Sequence, residues 1–182
     1  MTIRQHQTAA PVESIADLHP AVFALGSTLL GVSGTCYAQA MPVTAYPRSA
    51  IRALFNVSTA GAGTIVGEIA IGTSPASVLL NVAASVTITP QVVQSLSAVT
   101  LTATGLKNVP IGAGYTVPAG TQAWILIRTA LTTTQPTYGV FSGVPGLAAC
   151  RSLAASGVLA VGTGISFTIA SSNVPAVMIG SV

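Results

Sequence analysis

Hydrophobic and polar positions alternate with a period of two along several short stretches of the chain. Ile165, Phe167 and Ile169 are separated by Ser166 and Thr168, and Val86 and Ile88 by Ser85, Thr87 and Thr89. Over 95–104, Ser97, Val99, Leu101 and Ala103 fall on one face and Ala98, Thr100, Thr102 and Thr104 on the other. Successive side chains of a strand point to opposite faces, so this period predicts strands. Short apolar runs predict further strands over 50–57, 64–71, 76–82, 122–130, 137–141 and 176–182. Between them stand Gly61-Ala62-Gly63, Gly72-Thr73-Ser74-Pro75, Gly112-Ala113-Gly114, Pro118-Ala119-Gly120 and Thr134-Gln135-Pro136. Their backbone preferences suit turns. Roughly eight strands at this spacing, with no long helical pattern, predict an all-β fold, a jelly-roll-like β-sandwich with an extended N-terminal arm. Threonines on outward faces keep strand propensity without charge, so those faces are expected to be covered or only mildly wet.

The first 46 residues differ from the rest. Residues 1–20 hold both histidines, His6 and His19, two of the three acids, Glu13 and Asp17, and the prolines Pro11 and Pro20. Val12, Ile15 and Leu18 recur at helical spacing and predict a short helix over 12–18. Residues 21–46 are apolar and glycine-rich and close on Met41-Pro42-Val43-Thr44-Ala45-Tyr46-Pro47. The expected division is an N-terminal arm and connector over 1–46, for anchoring and assembly, and a β-sandwich domain over 47–182. Deleting residues 1–45 is then expected to leave a folded β domain that no longer enters its assembly. The stretch 21–33 resembles the apolar core of a signal peptide, and Ala38-Gln39-Ala40 fits the cleavage pattern. The residues before it are a poor basic lead, with His6, Glu13, Asp17 and His19 beside a single Arg4. The segment is expected to stay in the mature chain. Its most apolar part, 21–32, is shorter than the ~20 residues that hydrocarbon requires. Four Phe, four Tyr and one Trp cannot supply the two aromatic girdles of an outer-membrane barrel. No membrane insertion is expected.

Composition narrows the function. Only 5% of the 182 residues are charged, against about 25% in an ordinary domain. With 51% apolar residues, the chain is not of the disordered class, which needs low hydrophobicity and high charge. Arg4, Arg48, Arg52, Lys107, Arg128 and Arg151 form no run that could neutralise a phosphate track, so no nucleic-acid partner is expected. A lone monomer with so few charges would be poorly soluble, which predicts an assembly whose neighbouring copies cover much of the surface.

Catalytic chemistry lacks its residues. After Asp17 the only carboxylate is Glu68, whereas a glycosidase centre needs a pair. Glu68 itself reads as an outward strand residue paired with an arginine. His6 and His19 are not at the i, i+4 spacing of helical ligands, and both lie in the arm. Cys36 and Cys150 make neither a disulfide framework nor a metal motif and read as small buried hydrophobes. Gly112-Ala113-Gly114 lacks the third glycine of a dinucleotide fingerprint, and no Gly-Lys-Ser or Gly-Lys-Thr offers a phosphate loop. The Asn56-Val57-Ser58 sequon falls inside an apolar strand and reads as chance. No catalytic, cofactor-binding or metal-ligating residue is therefore assigned. Trp124, the sole tryptophan, shares a strand face with Leu126 and Arg128. Core packing is the default for Trp124. Because an arginine on the same face argues for some access, Trp124 and Arg128 are the candidate contacts for an interface or a sugar-binding groove.

The run Val117-Pro118-Ala119-Gly120-Thr121-Gln122-Ala123-Trp124-Ile125-Leu126 is followed by Thr132-Thr133-Thr134 and Thr137-Tyr138-Gly139-Val140-Phe141. It resembles β-sandwich modules in tail-fibre, baseplate and head-decoration proteins of tailed bacteriophages, where such a turn leads into an apolar strand, a small-residue turn and another strand. The resemblance covers roughly 48–182, leaves the arm unassigned and carries over no functional residue. It implies a non-enzymatic virion component, often trimeric. The expectation is a tail-fibre or adhesin-like protein anchored by its N-terminal arm, with capsid decoration the nearest alternative. Its partners would be copies of itself, as a trimer in the manner of such modules, other virion proteins, and a host surface glycan. In other classes, a secreted carbohydrate-binding module requires export, an accessory polysaccharide-degrading enzyme lacks the acids, and a small viral coat protein lacks a basic arm.

Overall fold

The structure, a computed structural model, describes residues 28–30, 32–41, 43, 45–74, 85–131, 133–141, 152–171, 174–175 and 177–180. Among them the fold is all-β, with strands β1 (Thr28–Leu30), β2 (Thr35–Ala40), β3 (Arg48–Thr59), β4 (Gly67–Ser74), β5 (Ser85–Ser95), β6 (Gly105–Val117), β7 (Gln122–Thr129), β8 (Thr137–Phe141), β9 (Ser152–Ser156), β10 (Ile165–Ser171), β11 (Val174–Pro175) and β12 (Val177–Gly180). They form two layers. One is a six-stranded sheet in the order β1-β8-β3-β12, with β6 paired to β3 and β11 to β8. The other closes on itself as a barrel, β10-β5-β4-β7-β2-β9. Closure leaves these six strands no free edge.

Alternation explains how the layers meet. On β7, Ala123, Ile125 and Ile127 point at the open sheet, where they join Tyr37 of β2, Ile69 and Ile71 of β4, and Ala53, Phe55 and Val57 of β3. The other face of the same strands turns into the barrel, where Cys36, Ala38, Ala40, Ala70, Trp124 and Leu126 pack with Val86, Ile88, Leu159 and Phe167. Strands β2, β4 and β7 are thus buried on both faces. Within the open sheet the Phe55 and Tyr138 rings meet edge to face at 6.0 Å, and across the layers the Tyr138 and Thr129 hydroxyls share a hydrogen bond of 2.6 Å.

Several expectations are corrected. Residues 28–40, expected in the arm and connector, already belong to the sheets: β1 pairs with β8, and β2 lies between β7 and β9 in the barrel. The arm proper, 1–27, lies outside the described residues, as do the helix expected over 12–18 and the strand expected over 76–82. Ala38-Gln39-Ala40 is the second half of β2, with Ala38 and Ala40 inside the barrel. Scission there would take a strand out of the closed ring. The alternating stretch over 95–104 is not a strand beyond its first residue. Leu96 and Leu101 are both fully buried there, and the backbone folds on itself through Val99 N to Leu96 O and Leu101 N to Val99 O, each 2.9 Å.

Two expected separators lie inside strands. Gly72, Thr73 and Ser74 end β4, because the barrel interior has no room for more than a hydrogen at Gly72. A Cβ there would stand 2.6 Å from Ile88 Cγ2 and 3.2 Å from Leu126 Cδ1. Gly112 and Gly114 form a bulge within β6, between the Ala50–Tyr115 and Arg52–Pro110 pairs. Gly114 has φ +83°, a conformation that glycine adopts without strain. Strands β6 and β9 had no counterpart in the alternation.

Candidate functional site

The polar side chains expected to carry function converge on the inside and ends of the barrel. Trp124, Leu126 and Arg128 do share a face, but that face is the interior one. Trp124 is only 4% exposed, and its indole Nε1 donates to Ser74 Oγ at 2.8 Å. It is therefore not a surface contact. The small residues Ala38, Ala40 and Ala70 on the two flanking strands leave the volume that the indole fills.

Arg128 closes the same interior face. Its Nη1 donates to Glu68 Oε2 at 2.8 Å, with only 11% and 16% of the two side chains exposed. Its Nε donates to the Gly34 carbonyl at 3.3 Å. The pairing of β4 with β7 places Glu68 directly opposite Arg128, and β2 places Cys36 opposite Arg128 on the other side. Glu68 has the arginine partner expected of it, but it points inward. The like-sided triplet Cys36, Arg128 and Glu68 thus forms one rung across three strands.

That rung offers no nucleophile. Burial pushes the Cys36 thiol up to about 12, Arg128 pulling against the rise and Glu68 adding to it. A thiolate is the reactive form of cysteine, so the group is held inert. Because the folded chain keeps this proton while an unfolded thiol, ordinarily near 9.0, releases it, stability is fully present below about pH 9 and falls as pH rises towards about 12. Tyr138 adds to the trend, since burial raises its pKa as well. The expected outcome, in a Cys150→Ser background, is no reaction of Cys36 with a thiol reagent until the protein unfolds. Urea midpoints should drop between about pH 8 and about pH 10.5, by less when Cys36 is replaced by Ala. Rapid labelling of the folded protein would contradict the buried placement.

At the start of β7, Gln122 is fully buried. Its Nε2 donates to Met41 O at 3.1 Å and to Ala123 O at 2.8 Å. The sequence marked this residue only as a strand start. Equally unforeseen are Gln39, whose Oε1 accepts from Val177 N at 3.1 Å and so ties barrel to sheet, and the Thr129–Tyr138 pair. A polar residue inside an apolar strand was the only signal they carried. His6, His19 and Cys150 lie outside the described residues. Among the described residues no three His, Cys, Asp or Glu side chains come together as a metal site.

No family model matches the chain, and no curated protein matches it. Among solved structures, it is similar to the cysteine protease and lectin-like domains of Cwp84, a surface-layer-associated protein of Clostridium difficile. The TM-score is 0.38 and the identity 16%, over 68% of this chain and 27% of that one. A likeness at that level supports no statement about activity.

Proposed function

We propose that this chain is a non-enzymatic structural component of a tailed-phage virion, a tail-fibre or adhesin-like protein held in place by its N-terminal segment, with head decoration the nearest alternative position. The observation that carries this reading is how the body disposes of its chemistry. The one described carboxylate is committed to Arg128, the indole is sealed inside the barrel, and the one described thiol, Cys36, is buried. What faces outward is mostly uncharged: glycine, alanine, serine and threonine, with Val158 and Val161 exposed on the loop between β9 and β10 and Leu106 on β6. Such surfaces suit close packing against other copies better than capture of a charged substrate.

Deletion of residues 1–27 keeps every described strand. The shortened chain is expected to fold and to fail to enter particles, or to lose the self-association of the full chain in sedimentation. Normal incorporation of the shortened chain, or a full-length protein that sediments only as a monomer, would count decisively against this reading.

A further inference from the structure

We propose that the outer face of the β3–β6 ladder, centred on Arg52, is the docking surface for residues 1–27 of a neighbouring copy, held by Glu13 and Asp17. This rests on the assembly reading above and names the surface that reading requires. On β3, Ala53, Phe55 and Val57 point into the core, so Arg52, Leu54 and Asn56 point the other way. On β6 they stand opposite Pro110, Asn108 and Leu106. Leu106 is 59% exposed, and no described strand forms a second layer over this side. The face is amide and apolar around a single guanidinium.

Charge identifies the occupant. The chain has three acidic side chains, Glu13, Asp17 and Glu68. Glu68 is bound to Arg128 inside the barrel, so no described carboxylate faces Arg52. The two that remain both lie in the N-terminal segment, beside apolar Val12, Ile15 and Leu18 that match a face carrying Leu54 and Leu106. The segment enters the open sheet at β1, on the edge away from β6. Its 27 residues span at most about 90 Å, enough to cross to a neighbour. Strand addition at the β6 edge is disfavoured, because Pro110 offers no N–H, Lys107 adds a charge, and the bulge at Gly112 and Gly114 interrupts the edge. A face contact avoids all three.

The test is a charge exchange in the full-length chain, read by sedimentation at low and high salt, with circular dichroism to verify folding. Arg52→Glu alone and Glu13→Lys/Asp17→Lys together are each expected to weaken self-association by roughly tenfold or more, and Arg52→Gln by less. Combining all three reversals should restore it to within about threefold, and mixing the two singly reversed chains should restore part of it. Added salt should weaken the native contact. Self-association that ignores the reversals, or that the combination fails to rescue, overturns the docking surface while leaving the assembly reading standing. Rescue in the combined chain without rescue on mixing places the contact within one copy and overturns the exchange between copies. A native chain that never associates overturns both.

Discussion

Removal of residues 1–45 is expected to abolish folding, whereas removal of 1–27 should leave a cooperative β protein. The difference lies in β2. Cys36, Ala38 and Ala40 fill the barrel on one side of this strand, and Tyr37 packs against the open sheet on the other. The strand bonds β7 along Cys36–Ala40 and β9 along Thr35–Ala38. Without it the barrel opens and two strands acquire bare edges among apolar surfaces. The loss includes five buried residues, Cys36, Tyr37, Ala38, Ala40 and Met41, together with a full set of ladder hydrogen bonds. That is of the same order as the 5–15 kcal/mol by which a typical domain is stable. Urea titration monitored by far-UV circular dichroism and Trp124 fluorescence checks both chains. A cooperative transition for the chain starting at residue 46 would show that β2 is dispensable.

Arg128→Met is expected to destabilise the protein by about 3–5 kcal/mol, and Glu68→Leu by a similar amount, because each leaves its partner's charge enclosed and unpaired. The double variant should be far less harmful. Removing both charges also removes the desolvation penalty, and apolar replacements of similar size suit an interior already lined by Leu126 and Ala70. The Gly34 carbonyl loses its Arg128 Nε donor in Arg128→Met and in the double variant, but not in Glu68→Leu. Equilibrium unfolding of the two single variants and the double variant forms a double-mutant cycle. Additive losses would mean that the two groups do not act as a pair.

What the sequence made legible depended on how each strand is covered. β8 coincides with its expected range, and β7 and β3 differ from theirs by a few residues, because apolar runs between strong turn formers end where the ladder ends. β10 and the first part of β5 alternate visibly, since one side meets the barrel interior and the other is exposed. β2 showed no alternation. Both its faces are largely buried, so Thr-Cys-Tyr-Ala-Gln-Ala carries apolar residues on both sides and no period of two. β6 carries Pro110, Gly112 and Gly114, which are turn formers elsewhere and are tolerated here by an edge position and a bulge. The shared face of Trp124 and Arg128 was readable from parity. That this face is the inside of a barrel was not, because enclosure depends on β9 joining β2 to β10, a long-range pairing with no local trace.

That same pairing imposes an order of events on synthesis. Tyr37 meets Ala154, and Ile88 meets Ile165, so the ring cannot complete until β10 has left the ribosome. Contacts so distant in sequence fold slowly, on the millisecond-to-second scale. Until then β2, β4 and β7 present two apolar faces each and almost no charge to keep neighbouring nascent chains apart. Slow translation or chaperone holding through residue 168 should therefore raise the soluble yield, and crowding of nascent chains on one message should lower it.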